Sequence, residues 1–373
     1  MRNLLLSLCG AAAVLAVACG GKTESSSGST GSTASAGASS ATAAASASAA
    51  SKKEPDASKL SLIKALPASW DVKDAKALDK KIELGRMLYF ETRLSKNQDV
   101  SCNSCHKLDS FGVDGQPTSS GHKKQLGGRN SPTVYNAAAH FVQFWDGRAA
   151  DVEAQAKGPI LNPVEMAMPS EAKVVEVLKS IPEYVKAFEA AFPEEKDAVT
   201  YNNLAIAIGA FERRLSTPSK FDKYLAGDKS ALNEAEKEGL SLFLETGCTA
   251  CHIGSTVGGT MYQKAGLVVP WPNQKDQGRF EVTKKDEDKM RFKVPSLRNI
   301  EKTAPYFHDG SVASLDEAVK MMAKHQLGKD LKPEEITSIV TFLKTLTGDV
   351  PKEYIQAPKL PASTAKTPKA DPS

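Results

Sequence analysis

Beyond the N-terminal segment, apolar residues recur along the chain at helical spacing, and the intervals between these runs are polar and often glycine-rich. In residues 79–92 the positions Ile82, Leu84, Met87, Leu88 and Phe90 predict an amphipathic helix. Residues 151–156 and 172–191 predict two more, the second ending before Pro193. Residues 202–215 predict a helix closed by Thr217-Pro218. Asn233, with Glu236 three positions on, forms a capping box that opens a helix running into Cys248. Residues 315–324 and 333–345 predict the last two helices. Residues 111–129 and 254–289 read as loops, the first ordered around His122. The pattern is that of a mostly α chain.

The N-terminal segment is different. Arg2 precedes an apolar run over residues 4–17, and Ala16-Val17-Ala18 forms a small-residue cleavage site. Residues 1–18 therefore read as an export signal, too short to span a bilayer. Cys19-Gly20 follows at once and resembles a lipoprotein signal, although Ala16 stands where that pattern prefers Leu. The expectation is a lipid on Cys19, against an ordinary cut that leaves a soluble exported protein. Residues 19–57 are Ser-, Ala- and Gly-rich and read as a disordered tether. The remaining length suits two domains, 58–220 and 221–349, followed by an extended tail over 350–373.

Composition changes this picture little. The chain is 41% hydrophobic with a net charge of +4, too small to argue for nucleic acid or a basic membrane-binding face. The cysteines change it more. Cys9 lies in the signal and Cys19 at its end, and the other four of the six form Cys102-Asn103-Ser104-Cys105-His106 and Cys248-Thr249-Ala250-Cys251-His252. Each is C-x-x-C-H, the attachment signature of a c-type haem. Two thiols bond the haem vinyl groups, and the adjacent His ligates the iron. A redox C-x-x-C does not need the His, and zinc more often pairs two C-x-x-C units in one site. The expectation is two covalent haems.

The two haem units repeat. Residues 85–92 and 239–246 share G-x-x-L-(Tyr/Phe)-x-E-T, and Pro132, Asn136, Phe144, Asp146 and Gly147 match Pro295, Asn299, Phe307, Asp309 and Gly310. This predicts a duplicated cytochrome c-like domain. The repeat breaks where the second unit has Met321-Met322, because the same count in the first reaches Lys157-Gly158-Pro159. A thioether is a common sixth ligand in haem electron carriers, although Met on a helix is more often core. His122 sits in a polar, Gly-flanked loop from which it could reach the first iron, or simply face solvent. His140, His308 and His325 carry no ligand spacing, and His308 is placed to contact haem. Glu165, among Pro163, Val164, Met166 and Met168, is a carboxylate in an apolar setting that raises its pKa.

These blocks, with Gly121-His122, residues 128–133, residues 143–148, residues 155–159, residues 164–166 and residues 303–308, resemble the bacterial di-haem cytochrome c peroxidases over about residues 81–348. The resemblance implies hydrogen peroxide as substrate and a small exported redox protein, a c-type cytochrome or a cupredoxin, as electron donor. It implies that His106 holds the peroxidatic haem and that His122 caps it reversibly. His252 and Met322 would hold the electron-accepting haem, with Trp145 between the two. Gln155 and Glu165 would line the peroxide pocket. Asn130, with the carbonyls of Thr303 and Pro305, would bind one Ca²⁺. The resemblance also implies a periplasmic location and a homodimer. Two other readings remain at this point. One is a relative that oxidises another protein, which would have Tyr in place of Met322. The other is a plain di-haem carrier with both irons permanently six-coordinate.

Overall fold

The computed structural model describes residues 54–72 and 75–373, so the signal, Cys19 and nearly all of the tether lie outside the described residues. The longer helices are α1 (Leu78–Tyr89), α2 (Val152–Leu161), α3 (Glu171–Lys179), α4 (Pro182–Ala191), α5 (Tyr201–Glu212), α6 (Lys220–Leu225), α7 (Glu234–Thr246), α8 (Leu315–Leu327) and α9 (Pro333–Lys344). The fold is mostly helical. Residues 172–191, expected as one helix, form α3 and α4 with a break at Ser180 and Ile181. Pro182 is the reason: it has no N–H to continue α3, but its fixed φ suits the first turn of α4. Within residues 254–289, read as loop, lies β1 (Tyr262–Lys264). It pairs antiparallel with β2 (Arg291–Lys293), placing Tyr262 opposite Lys293.

Helix α1 packs against α5, and α7 against α9. A Cβ on Gly85 in α1 would strike the Ala207 carbonyl of α5 and press on Phe211. A Cβ on Gly239 in α7 would strike the Ser338 carbonyl of α9 and press on Phe342. In both pairs the bare glycine lets the two backbones meet. One turn further on, Tyr89 meets Phe211 with ring centres 5.3 Å apart and Phe243 meets Phe342 at 5.2 Å, tilted 57° and 53°. The aligned sequence blocks thus carry aligned packing.

The loops match as well. Asn136 and Asn299 are both left-handed, at φ 62° and 60°, as are Phe144 and Phe307, at 65° and 70°. Each Phe opens a tight return closed by a bridge, Gln143 to Ala149 and Tyr306 to Val312.

Among the described residues two large apolar cores form, with a smaller cluster of Trp271, Met290 and Phe292. The first gathers Leu84, Leu88, Tyr89, Ile160, Tyr184, Phe188, Leu204 and Phe211. The second gathers Phe221, Tyr224, Leu240, Phe243, Leu244, Ile339, Phe342 and Leu343. Each such side chain contributes about 1.5–3 kcal/mol of burial. After α9 the chain crosses back, and Val350, Tyr354 and Ile355 pack on the first core. The tail is then pinned by Arg93 Nη2 donating to Pro361 O at 2.8 Å and by Asp371 N–H donating to Lys96 O at 2.9 Å.

Candidate functional site

Cys102–Cys105 forms one helical turn, opened by a Ser101–Ser104 capping box. Cys248–Ala250 forms a 3₁₀ turn directly after α7. The four cysteines are free. Burial pushes the Cys102 and Cys248 thiols up to about 12. Such burial opposes the activated thiolate that a redox pair needs.

Each motif histidine is oriented by a backbone carbonyl. His106 Nδ1 lies 3.4 Å from Gly112 O, and His252 Nδ1 lies 3.1 Å from Val257 O. A carbonyl only accepts, so Nδ1 carries the proton and Nε2 keeps its lone pair for a ligand. Burial lowers both imidazoles, His252 to about 4, so both are neutral as ligation requires.

Cys248, Cys251 and His252 line a cavity of about 240 Å³ whose walls include Phe243, Val294, Leu315, Met322, Ile339 and Leu343. Two thiols, an imidazole and a thioether on an apolar cavity make a donor set that fits a covalent haem. Met321 and Met322 both pack on Trp271, Met290 and Phe292, and of the two Met322 lines the cavity. Thr303, Pro305, Asn130 and Trp145 line the same cavity. The Asn130 amide nitrogen donates to Gln116 O at 2.9 Å, which leaves its Oδ1 as an acceptor for a cation.

Around the first motif, His122 is 6% exposed and its Nδ1 has no partner among the described residues. The backbone N–H of His122 donates to the backbone carbonyl of Glu165 at 2.7 Å. Gly121 lies so close to Val164 and Glu165 that no Cβ would fit between them. The Glu165 carboxylate accepts from Asn162 Nδ2 at 2.8 Å through Oε1. Burial raises its pKa, partly offset by the charge of Arg148 and by the Asn162 bond. Glu165 is near enough to Cys105 for its charge to raise that thiol. Gln155 is half-buried on α2, the helix that leads into the Glu165 turn. Tertiary contact therefore brings His122 and Glu165 together beside the first motif.

Between the motifs, backbone bonds cross. Asn130 N–H donates to His308 O and Lys293 N–H donates to Trp145 O, both at 2.8 Å. Trp145 Nε1 donates to Asn130 O at 2.9 Å, and its ring meets that of His308 edge-on at 6.4 Å. The sequence reading gave no role to Lys293 and no ligand role to His140, yet both line the cavity and pair with each other. The signal was present: Lys293 stands two residues before Pro295, as Asn130 does before Pro132.

A family model described as di-haem cytochrome c peroxidase matches residues 79–230. Cytochrome c551 peroxidase of Nitrosomonas europaea is 49% identical over 292 residues, covering 78% of this chain and 86% of that protein. The cytochrome c551 peroxidase of Pseudomonas aeruginosa is 48% identical over 293 residues, covering 77% and 84%. A solved MauG-like protein associated with microbial copper homeostasis superposes with a TM-score of 0.69 at 28% identity, covering 79% of this chain and 97% of that one. The chain belongs to the di-haem cytochrome c peroxidase family and is an oxidoreductase of the cytochrome-c peroxidase class.

Proposed function

We propose that the protein reduces hydrogen peroxide to two waters in the periplasm, using two electrons and two protons, and that Cys19 carries the lipid that anchors it. The observation that carries this reading is the main-chain bond from His122 N–H to the Glu165 carbonyl, which seats the two residues side by side near the first C-x-x-C-H motif. Cys102, Cys105 and His106 would hold a haem, which would supply the redox-active iron for peroxide reduction.

Glu165 accepts the proton of the bound peroxide at Oε2, because Asn162 holds Oε1, and returns it to the departing water. Gln155 lines the same pocket. His122 caps the first site in the resting enzyme and leaves it on activation. Two successive residues after it, Lys123 and Lys124, are left-handed at φ 55° and 59°. Such conformations cost of order 1–3 kcal/mol each and persist only where the surrounding structure holds them.

Electrons enter from a small c-type cytochrome or cupredoxin at the site of His252 and Met322. Trp145, which lines the wall of that cavity, lies on the route to the first site. Asn130 Oδ1 with the carbonyls of Thr303 and Pro305 binds Ca²⁺ there. Among the described residues no cluster of three or more His, Cys, Asp or Glu is poised for a metal, so this set works through neutral oxygens completed by water. The enzyme acts as a homodimer.

The test is peroxide turnover with reduced cytochrome c, together with visible and EPR spectra of the oxidised and half-reduced protein with and without Ca²⁺. The expected result is turnover, a Met-ligated second haem, and a first haem that opens on half-reduction only with Ca²⁺ present. Two permanently six-coordinate haems without turnover would make the protein a carrier instead.

A further inference from the structure

Among the described residues, the second-motif cavity holds a buried lysine with no carboxylate in ion-pair contact. Lys293, at the end of β2, is 5% exposed, and its Nζ lies 3.1 Å from His140 Nδ1. Both residues line the cavity with Cys251, His252 and Met322. His140 Nε2 is buried without a partner among the described residues, so Nδ1 is free to accept from the ammonium and the ring brings no negative charge. Asp146 is the carboxylate whose charge favours the protonated lysine. It is already held by Arg129 at 2.5 Å and Arg148 at 2.9 Å. Burial consequently pulls Lys293 down to about 7. A buried charge is retained when it is paired, and this one faces a cavity suited to a cofactor that carries carboxylates.

The repeat sharpens the point. Lys293 and Asn130 occupy the same place in the two units, each two residues before the matched proline. Each donates its N–H across to the opposite unit, Lys293 to Trp145 and Asn130 to His308. In the first unit this position is a neutral amide whose nitrogen donates to Gln116 O. In the second it is a lysine, which can carry a positive charge into the cavity.

We propose that Lys293, oriented by His140, is a fixed cation that ion-pairs a carboxylate of the haem held by Cys248, Cys251 and His252 and keeps the reduction potential of that haem high. The proposal rests on the reading that this cavity holds a haem. A positive charge beside the macrocycle favours the reduced iron electrostatically, and pairing removes the opposing effect of a bare carboxylate.

The experiment uses the holoprotein and a spectroelectrochemical titration of the second haem, with haem content measured on each sample. Wild type should contain two haems per chain; fewer would sink the haem reading itself. Lys293→Met should keep both haems and shift the reduction equilibrium of the second about tenfold toward the oxidised form, about 59 mV for one electron. Lys293→Arg, which keeps the charge, should restore most of the shift. An unchanged midpoint in Lys293→Met with both haems attached overturns the proposal and leaves the haem reading intact. A separate measurement needs no variant. In wild type the midpoint should stay level from about pH 6 to 8, because the ion pair holds the lysine proton well above the value near 7 set by burial alone. A fall in potential as pH rises through 7 would show the amine losing its proton unpaired, and would also overturn the proposal.

Discussion

Asn136 and Asn299, matched positions of the two repeats, donate their side-chain N–H groups to one acceptor, the Thr217 hydroxyl, at 2.9 Å each. Thr217 N–H in turn donates to Asn136 Oδ1 at 3.1 Å, and Gly348 N–H to Asn299 Oδ1 at 3.0 Å. Thr217 is wholly buried. A hydroxyl oxygen has two lone pairs, and both are used here to join the two asparagine turns. Thr217→Val keeps the shape and leaves two buried donors unpaired, at about 1–3 kcal/mol each. Urea unfolding of the holoprotein should show that loss. A midpoint within experimental error of wild type would mean water replaces the hydroxyl.

Glu165 gives the mechanism its pH dependence. Burial raises its carboxyl above the ordinary range. A base works deprotonated, so kcat/KM should climb with pH through a pKa higher than that of a solvated glutamate. Glu165→Gln should lower turnover by about 10²–10⁴-fold, abolish the acid limb, and leave both haems attached. Retained turnover with an unshifted limb would assign the proton transfer to another group.

His122 should act as a removable cap. His122→Gly should convert the resting first haem from low-spin to high-spin by EPR. It should also give full peroxide turnover without prior reduction of the second haem. A low-spin first haem in that variant would show that some other residue supplies the sixth ligand.

Glu212 makes a prediction about stability. It is fully enclosed on α5, and burial, reinforced by the charge of Glu153 against a weaker opposing effect of Arg213, pushes its carboxyl up to about 8 from 4.5. Between those values the folded chain keeps a proton that the unfolded chain has lost. Its contribution is therefore fully present below about 4.5 and declines until pH passes about 8. Glu212→Gln cannot ionise. Its denaturation midpoint should exceed that of wild type at pH 8, with the difference shrinking toward pH 5. Parallel pH profiles for the two proteins would contradict the shift.

The chemistry was largely legible in the sequence because it is written in short spacings. C-x-x-C-H, the Asn233–Glu236 capping box and the periodicity of residues 202–215 each act within a turn or two of helix. The repeat was legible for a similar reason: Gly85 and Gly239 mark the same close helix contact in blocks that can be aligned by eye. The break between α3 and α4 was signalled by Pro182, but the apolar spacing on either side ran through it without interruption.

The rest depended on residues far apart in the chain. The pairing of Tyr262 with Lys293 is three residues long and carries no alternation strong enough to announce a strand. The sequence reading favoured Met322 over Met321 from the repeat and the resemblance, and on α8 it is Met322 that lines the cavity. His140 and Lys293, unremarkable singly, became a buried pair only when β2 was laid against the first unit. Sequence by itself determined the attachment motifs, most of the longer helices and the duplication, since each is a property of neighbouring residues. Tertiary structure decided which side chains share a cavity and which charges lose their water, since burial and partnership arise only when distant segments pack.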